Sequence, residues 1–239
     1  NMSKTIKKKI WFKNKSVELN KTIEEYNAGE DIIYDQEMVP DDVWCSRCYA
    51  RLLKKHKIIT EKELKELEKG LDEILVLYKK GEFTLKLEDE DCHTKIEDYL
   101  IRRFGDTGKK IHTGRSRNDQ VLVMMRWFLK RKADALSKKS LDLASKLLKF
   151  AKKYEMVAMP GYTHMQKAMP TTVGTWMGAF SESLLDDVKF LLMIKDEIIN
   201  QNPLGSGAGY GSPFDFDRDW LSKEIGFKKT QNNVIYCHN

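Results

Sequence analysis

Gln120 to Tyr154 reads QVLVMMRWFLKRKADALSKKSLDLASKLLKFAKKY, an uninterrupted run without proline or glycine. Leu122, Leu129, Leu136, Leu143 and Phe150 recur every seven residues, and Ala133, Ser140, Leu147 and Tyr154 form the adjacent row. That spacing predicts a helix with a heptad seam. Lys132, Lys139, Lys146 and Lys153 mark its solvated flank. At 1.5 Å per residue the helix spans about 50 Å. A stripe that long needs neighbours along its whole length to be buried, so the segment predicts a bundle shared between copies of the chain.

The residues that feed this helix, Ile111-His112-Thr113-Gly114-Arg115-Ser116-Arg117-Asn118-Asp119-Gln120, concentrate hydroxyl, amide and guanidinium groups. A helix start has unpaired N–H groups and the positive end of a dipole. Ser116, Asn118 and Asp119 all suit an N-cap. Arg115 and Arg117 bring planar forks that fit carboxylates or phosphates. Together they predict an anion-binding corner.

Upstream, residues 1–40 read as irregular, with a turn-like Tyr26 to Asp31. Asp41 and Asp42, after Pro40, are expected to cap a helix running to about Lys57. Thr60-Glu61-Lys62-Glu63 is a capping box that opens a helix with Leu64, Leu67, Leu71, Ile74, Leu75 and Tyr78 on one stripe, ended by Gly81. The acidic Glu88 to Asp91 suits the start of a helix carrying Ile96, Tyr99, Leu100 and Phe104 and stopping at Gly105. Downstream, residues 155–169 read as a connecting stretch, with Pro170 in the first turn of another long helix to about Asn200. Residues 201–213 hold four glycines and two prolines and are expected to present free N–H groups to a ligand. No strand is expected before them, so they are not a nucleotide fingerprint. Asp217 to Ile225 reads as a short helix. The fold class is all-α: a small N-terminal helical domain at 1–112, then the start of a long-helix bundle domain at 113–239.

The net charge of +6 permits an anionic ligand without demanding nucleic acid. The lysine-rich arm from Lys4 to Lys15 reads as a solvated terminus. No apolar run is long enough to cross a bilayer, and no signal-peptide core opens the chain, so the expected location is cytoplasmic, with reduced thiols. Cys45 and Cys48 have C-x-x-C spacing, and Cys92-His93 and Cys237-His238 follow, but no second pair stands at zinc-site spacing. The cysteines are expected to be structural. Neither a metal nor a cofactor is expected.

His164 is the sharpest candidate for proton transfer, because its ordinary pKa lies near working pH. Thr163 and Gln166 flank it as hydrogen-bonding partners.

Lys109 to Val121, KKIHTGRSRNDQV, closely resembles a signature of the argininosuccinate lyases, members of the fumarase/aspartase superfamily. Met159 to Trp176, MPGYTHMQKAMPTTVGTW, resembles a second signature with Met165 and Met169 substituted, and Pro203 to Phe227 resembles a third. Glu90-Asp91-Cys92-His93 resembles the family's E-D-x-H. The resemblance implies cleavage of argininosuccinate to arginine and fumarate by a homotetramer whose active sites draw on several subunits. It implies that Asn118 and Thr163 bind substrate and that His164 is the active-site histidine. Arg117, Ser116, Gln166 and, more weakly, His93 and Asp91 join the candidate substrate-binding set, and His112 is expected to be structural. Two departures stand out. The family's serine loop of G-S-S-x-M-P type does not occur, so the chain looks like an N-terminal portion that is inactive alone. Gly29 falls where many members carry a serine. A sister lyase and a helical scaffold without catalysis are the alternatives; a nucleic-acid binder built on the lysine arm is disfavoured.

Overall fold

A computed structural model describes Tyr26 and residues 29–238; the lysine-rich arm lies outside the described residues. Among the described residues, seven α-helices carry the fold, joined by short strands and single turns. Helix α1 spans Asp31–Lys55, α2 Glu61–Lys79, α3 Cys92–Phe104, α4 Asp106–Lys109, α5 Arg117–Lys153, α6 Val173–Ile194 and α7 Arg218–Ile225. The all-α class holds. Among the described residues, no helix is long and apolar enough to cross a membrane.

Helix α1 begins ten residues before the expected caps and carries Pro40 inside it. Pro40 lacks an N–H and so removes one helical hydrogen bond, but the burial of Val39, Val43, Tyr49, Leu52 and Leu53 holds the helix on both sides of it. Asp41 and Asp42 are therefore not caps. Both are buried, and Arg131 on α5 grips Asp41 through Nε at 2.6 Å and a terminal nitrogen at 2.5 Å. The α2 capping box forms as expected: Glu63 N–H donates to Thr60 Oγ1, and Thr60 N–H to Glu63 Oε2 at 2.8 Å. Asp91 caps α3 by accepting from Thr94 N–H at 2.6 Å, and Gly105 ends it.

One contiguous apolar core joins the early helices to the end of the chain. Leu67, Leu71, Ile74, Leu100 and Ile111 meet Val123 and Met124 of α5 and Leu204, Leu221 and Ile225 beyond α6. Helix α7 is tied onto α1 by Trp44 Nε1–H donating to Ile225 O at 3.0 Å and by Arg51 pairing with Glu224 at 2.8 Å. All four cysteines are free and buried, which is the packing role expected of them.

Between α5 and α6 the expected loop is instead a two-stranded hairpin, β1 (Ala158–Thr163) and β2 (Gln166–Thr172). His164 and Met165 make its tip, with φ of 47° and 62°, as a two-residue turn that follows the strand twist requires. Pro170 lies in β2, opposite Pro160, and α6 starts three residues later with Thr172 as its cap. Neither residue of the tip is the Asn or Gly that normally announces such a turn. At the other end, α6 stops at Ile194 and passes into a π turn, Lys195–Ile199, short of the expected Asn200. A two-residue strand β3 (Gln201–Asn202) precedes the glycine-rich segment and pairs in parallel with β4 (Lys229–Thr230).

Helices α5 and α6 run antiparallel. Gly174 sits by Ala151, Ser181 Oγ donates to Ala144 O at 3.0 Å, and Lys195 pairs with Asp134 at 2.7 Å. Ala133, Ser137, Ala144 and Ala151 are buried, whereas Leu129, Leu136, Leu143 and Phe150 stay 44–55% exposed. Within one chain the small residues face α6 and the leucine row faces outward. A Cβ on Gly174 would stand 2.7 Å from the Glu155 Cα and 3.0 Å from the Ala151 carbonyl, but one on Gly178 would meet nothing within 4 Å. Gly174→Ala is therefore expected to destabilise the chain by about 1–3 kcal/mol through overpacking. Gly178→Ala is expected to stabilise it by roughly 0.5–1 kcal/mol through helix propensity. Denaturant titration of the two variants checks the opposite signs.

Candidate functional site

The corner at the start of α5 is built from its capping chemistry. Ser116 Oγ accepts from Asn118 N–H at 3.3 Å, and Ser116 N–H donates to Asp119 Oδ1 at 2.9 Å. The other oxygen of Asp119 accepts from the N–H groups of Gly205 and Gly207, each at 3.0 Å. The glycine-rich segment thus spends these N–H groups on a buried carboxylate rather than on a ligand, and Gly209 N–H donates to His238 Nε2 at 3.1 Å. Burial pushes the Asp119 carboxyl up, against the three backbone donors that favour its charged form.

Arg117 turns back over α3. It donates to Gln120 Oε1 at 3.2 Å and Thr94 Oγ1 at 3.3 Å, and it lies 3.6 Å from Asp91 and 4.0 Å from Glu97. Arg115 lies over the Tyr49 ring at 4.9 Å and donates to Ser46 Oγ at 3.1 Å. His93 is buried, with Nδ1 2.9 Å from Asp42 Oδ2. Asn118 is exposed. The structure thus brings Ser116, Arg117, Asp91 and His93 into one polar cluster, with Asn118 at its outer edge.

Thr163, His164 and Gln166 are elsewhere. All three are exposed on the hairpin, which follows the far end of α5. That helix has 37 residues, about 55 Å of rise. A six-residue strand reaches only about 20 Å, so even a hairpin folded straight back would leave His164 roughly 35 Å from Asn118. Within one chain the two halves of the candidate set do not meet.

Sequence reasoning missed Asp42, Ser46 and Gln120, which tie the cluster together beneath the surface. Gln120 belongs to the signature stretch, but nothing in sequence links it to Asp42, 78 positions away. Asp42, Cys92 and His93 each place one ligand atom within 4.8 Å of the others. The donor set does not suit a metal. Burial pushes the Cys92 thiol well up, and Asp42 already receives His93, Ser46 and Gln120. Burial also pushes Asp42 up, but it is outweighed by the charge and hydrogen bond of His93 together with Arg115 and Gln120, and the carboxyl stays below its ordinary range.

His112, at the edge of the cluster, is held down to about 4 by burial and then by the charges of Arg115, Arg117 and His93. It is neutral in the folded chain at neutral pH. Because its folded pKa lies below its unfolded value, the unfolded chain binds the extra proton between pH 6.5 and about 4. His112 is therefore expected to be without effect above pH 6.5 and to lower stability progressively as pH falls through that window. Thermal melts of the parent and His112→Gln chains across pH 4–7 should show a shallower decline in the variant.

Residues 12–236 match the family model described as Lyase. Argininosuccinate lyase from Thermotoga neapolitana is 41% identical over 231 residues, covering 97% of this chain and 57% of that protein. Argininosuccinate lyase from Bacteroides fragilis is 41% identical over 229 residues, covering 96% of this chain and 51% of that protein. The chain thus spans little more than half the length of these curated relatives. Among solved structures, an EDDS lyase variant with bound fumarate matches with a TM-score of 0.75 at 24% identity, over 87% of this chain and 42% of that one. Fumarate lyase:delta crystallin from Brucella melitensis bound to cobalt matches with a TM-score of 0.71 at 16% identity, over 86% of this chain and 50% of that one; these two likenesses bear on the fold alone. With the family model matched over nearly its whole length, the chain belongs to the Lyase family.

Proposed function

We propose that the chain is the N-terminal part of an argininosuccinate lyase, a carbon–nitrogen lyase of arginine biosynthesis. The reaction removes a proton from the succinyl carbon beside the C–N bond. The resulting carbanion is delocalised into the neighbouring carboxylate, and the C–N bond then breaks to release arginine and fumarate. The extra negative charge calls for donors fixed in advance. In this reading the α5 start, with Ser116, Arg117 and Asn118, receives a substrate carboxylate. His93 lies beneath it, and Thr163, His164 and Gln166 supply the other wall. The relatives' shared name supports the substrate, and no cofactor is required.

The observation that carries the reading is the separation of the two walls by the length of α5. A pocket holding both requires another copy lying antiparallel, with its hairpin against this chain's α5 start. The outward row of Leu129, Leu136, Leu143 and Phe150 gives such copies a seam, in a homotetramer of the cytoplasm that needs neither nucleic acid nor membrane. Residues 1–112 would form the small helical domain and 113–239 the beginning of the bundle domain.

In the full chain, His164→Asn and Asn118→Ala are each expected to lower kcat/KM for argininosuccinate by about 10²-fold or more. Unfolding and refolding the two variants together should restore part of the activity, because some mixed sites receive one intact wall from each. If the mixture stays as inactive as its components, the shared-pocket reading fails.

A further inference from the structure

We infer that Asp42 is the positioning residue of the anion-binding corner: one buried carboxylate that sets the orientation of His93, Arg115 and Arg117 at once. The inference rests on the proposed function only for what the corner binds; the wiring itself is geometric.

Asp42 is wholly buried in the middle of α1. Its Oδ2 meets His93 Nδ1 at 2.9 Å. Its Oδ1 accepts from Ser46 Oγ, one helical turn on, at 3.2 Å, and from Gln120 Nε2 at 3.5 Å. Each of these two donors holds an arginine with its remaining capacity: Ser46 Oγ accepts from Arg115, and Gln120 Oε1 accepts from Arg117. A hydroxyl offers one proton and a primary amide presents its oxygen opposite its NH2 group. Because Asp42 consumes the Ser46 proton and the Gln120 NH2, it turns the oxygen of each toward a guanidinium. An ionised carboxylate can only accept, so the direction of every bond in the network follows from its charge. Thr94 and Asp91 steady the other side of Arg117, and the Tyr49 ring supports Arg115. Arg115 Nε is buried without an acceptor among the described residues.

The test compares Asp42→Asn, Ser46→Ala and Gln120→Leu. Nitrogen-15 NMR of the arginine Nε–H groups reports how tightly each guanidinium is held. Ser46→Ala should loosen Arg115 alone, Gln120→Leu should loosen Arg117 alone, and Asp42→Asn should loosen both. General destabilisation would not divide in this way. If Asp42→Asn leaves both guanidiniums as rigid as in the parent, or if neither single-arm variant is selective, the inference is overturned; should Asp42→Asn fail to fold, the two single-arm variants still decide it. In the full chain, Asp42→Asn should raise the KM for argininosuccinate by about tenfold, with a smaller change in kcat, as expected for a lost charged hydrogen-bond network. Arg117→Ala is the control for the functional reading. If it leaves KM unchanged, the corner does not bind substrate, and the NMR pattern still decides whether Asp42 sets the arginines.

Discussion

The carboxylate of Asp119 is the constraint on which the rest of the arrangement depends. Three backbone N–H groups from two distant parts of the chain converge on it, at Ser116, Gly205 and Gly207. One oxygen ends the first turn of α5, and the other pulls in the segment that returns after α6. A buried carboxylate without such donors would carry a desolvation cost of several kcal/mol; here the cost is offset by groups that themselves needed acceptors. The result is a fixed point where the long helix begins. Arg218 secures the same returning segment from behind by donating to the carbonyls of Leu204, Pro203 and Gln231.

The second constraint is the close approach of α5 and α6. Alanine, serine and glycine occupy the contact, so the axes draw together and the large apolar residues of α5 are turned away. Packing of this kind uses shape rather than bulk: a few methyl groups are buried per turn, and backbone atoms of Ala144, Ala151 and Glu155 themselves form part of the surface. The leucines of the same helix stay half-exposed.

Much of this was legible in sequence where the signal is local. The Ser116-to-Asp119 cap, the Thr60 box, Gly105 and the Asp217 helix start are each decided by residues three or four apart. The seven-residue period of α5 was equally plain, but which of its rows would face α6 was not, since alanine and leucine rows differ in size and share the same period. Proline's local preference alone makes Pro40 a boundary, whereas the core on either side overrides it. The hairpin escaped because its tip is His164-Met165 instead of Asn-Gly. Of the candidate site, the surface groups were legible and their wiring was not. Asp42 and His93 lie 51 positions apart, and no periodicity links a helix interior to a residue on another helix.

The hairpin tip has one further consequence. His164 and Met165 both hold a left-handed backbone that side chains disfavour, at a cost on the order of 1 kcal/mol or more for each. Met165 is 98% exposed, so its side chain gains almost no packing among the described residues in return. The turn therefore carries backbone strain that an asparagine or a glycine at the same positions would not.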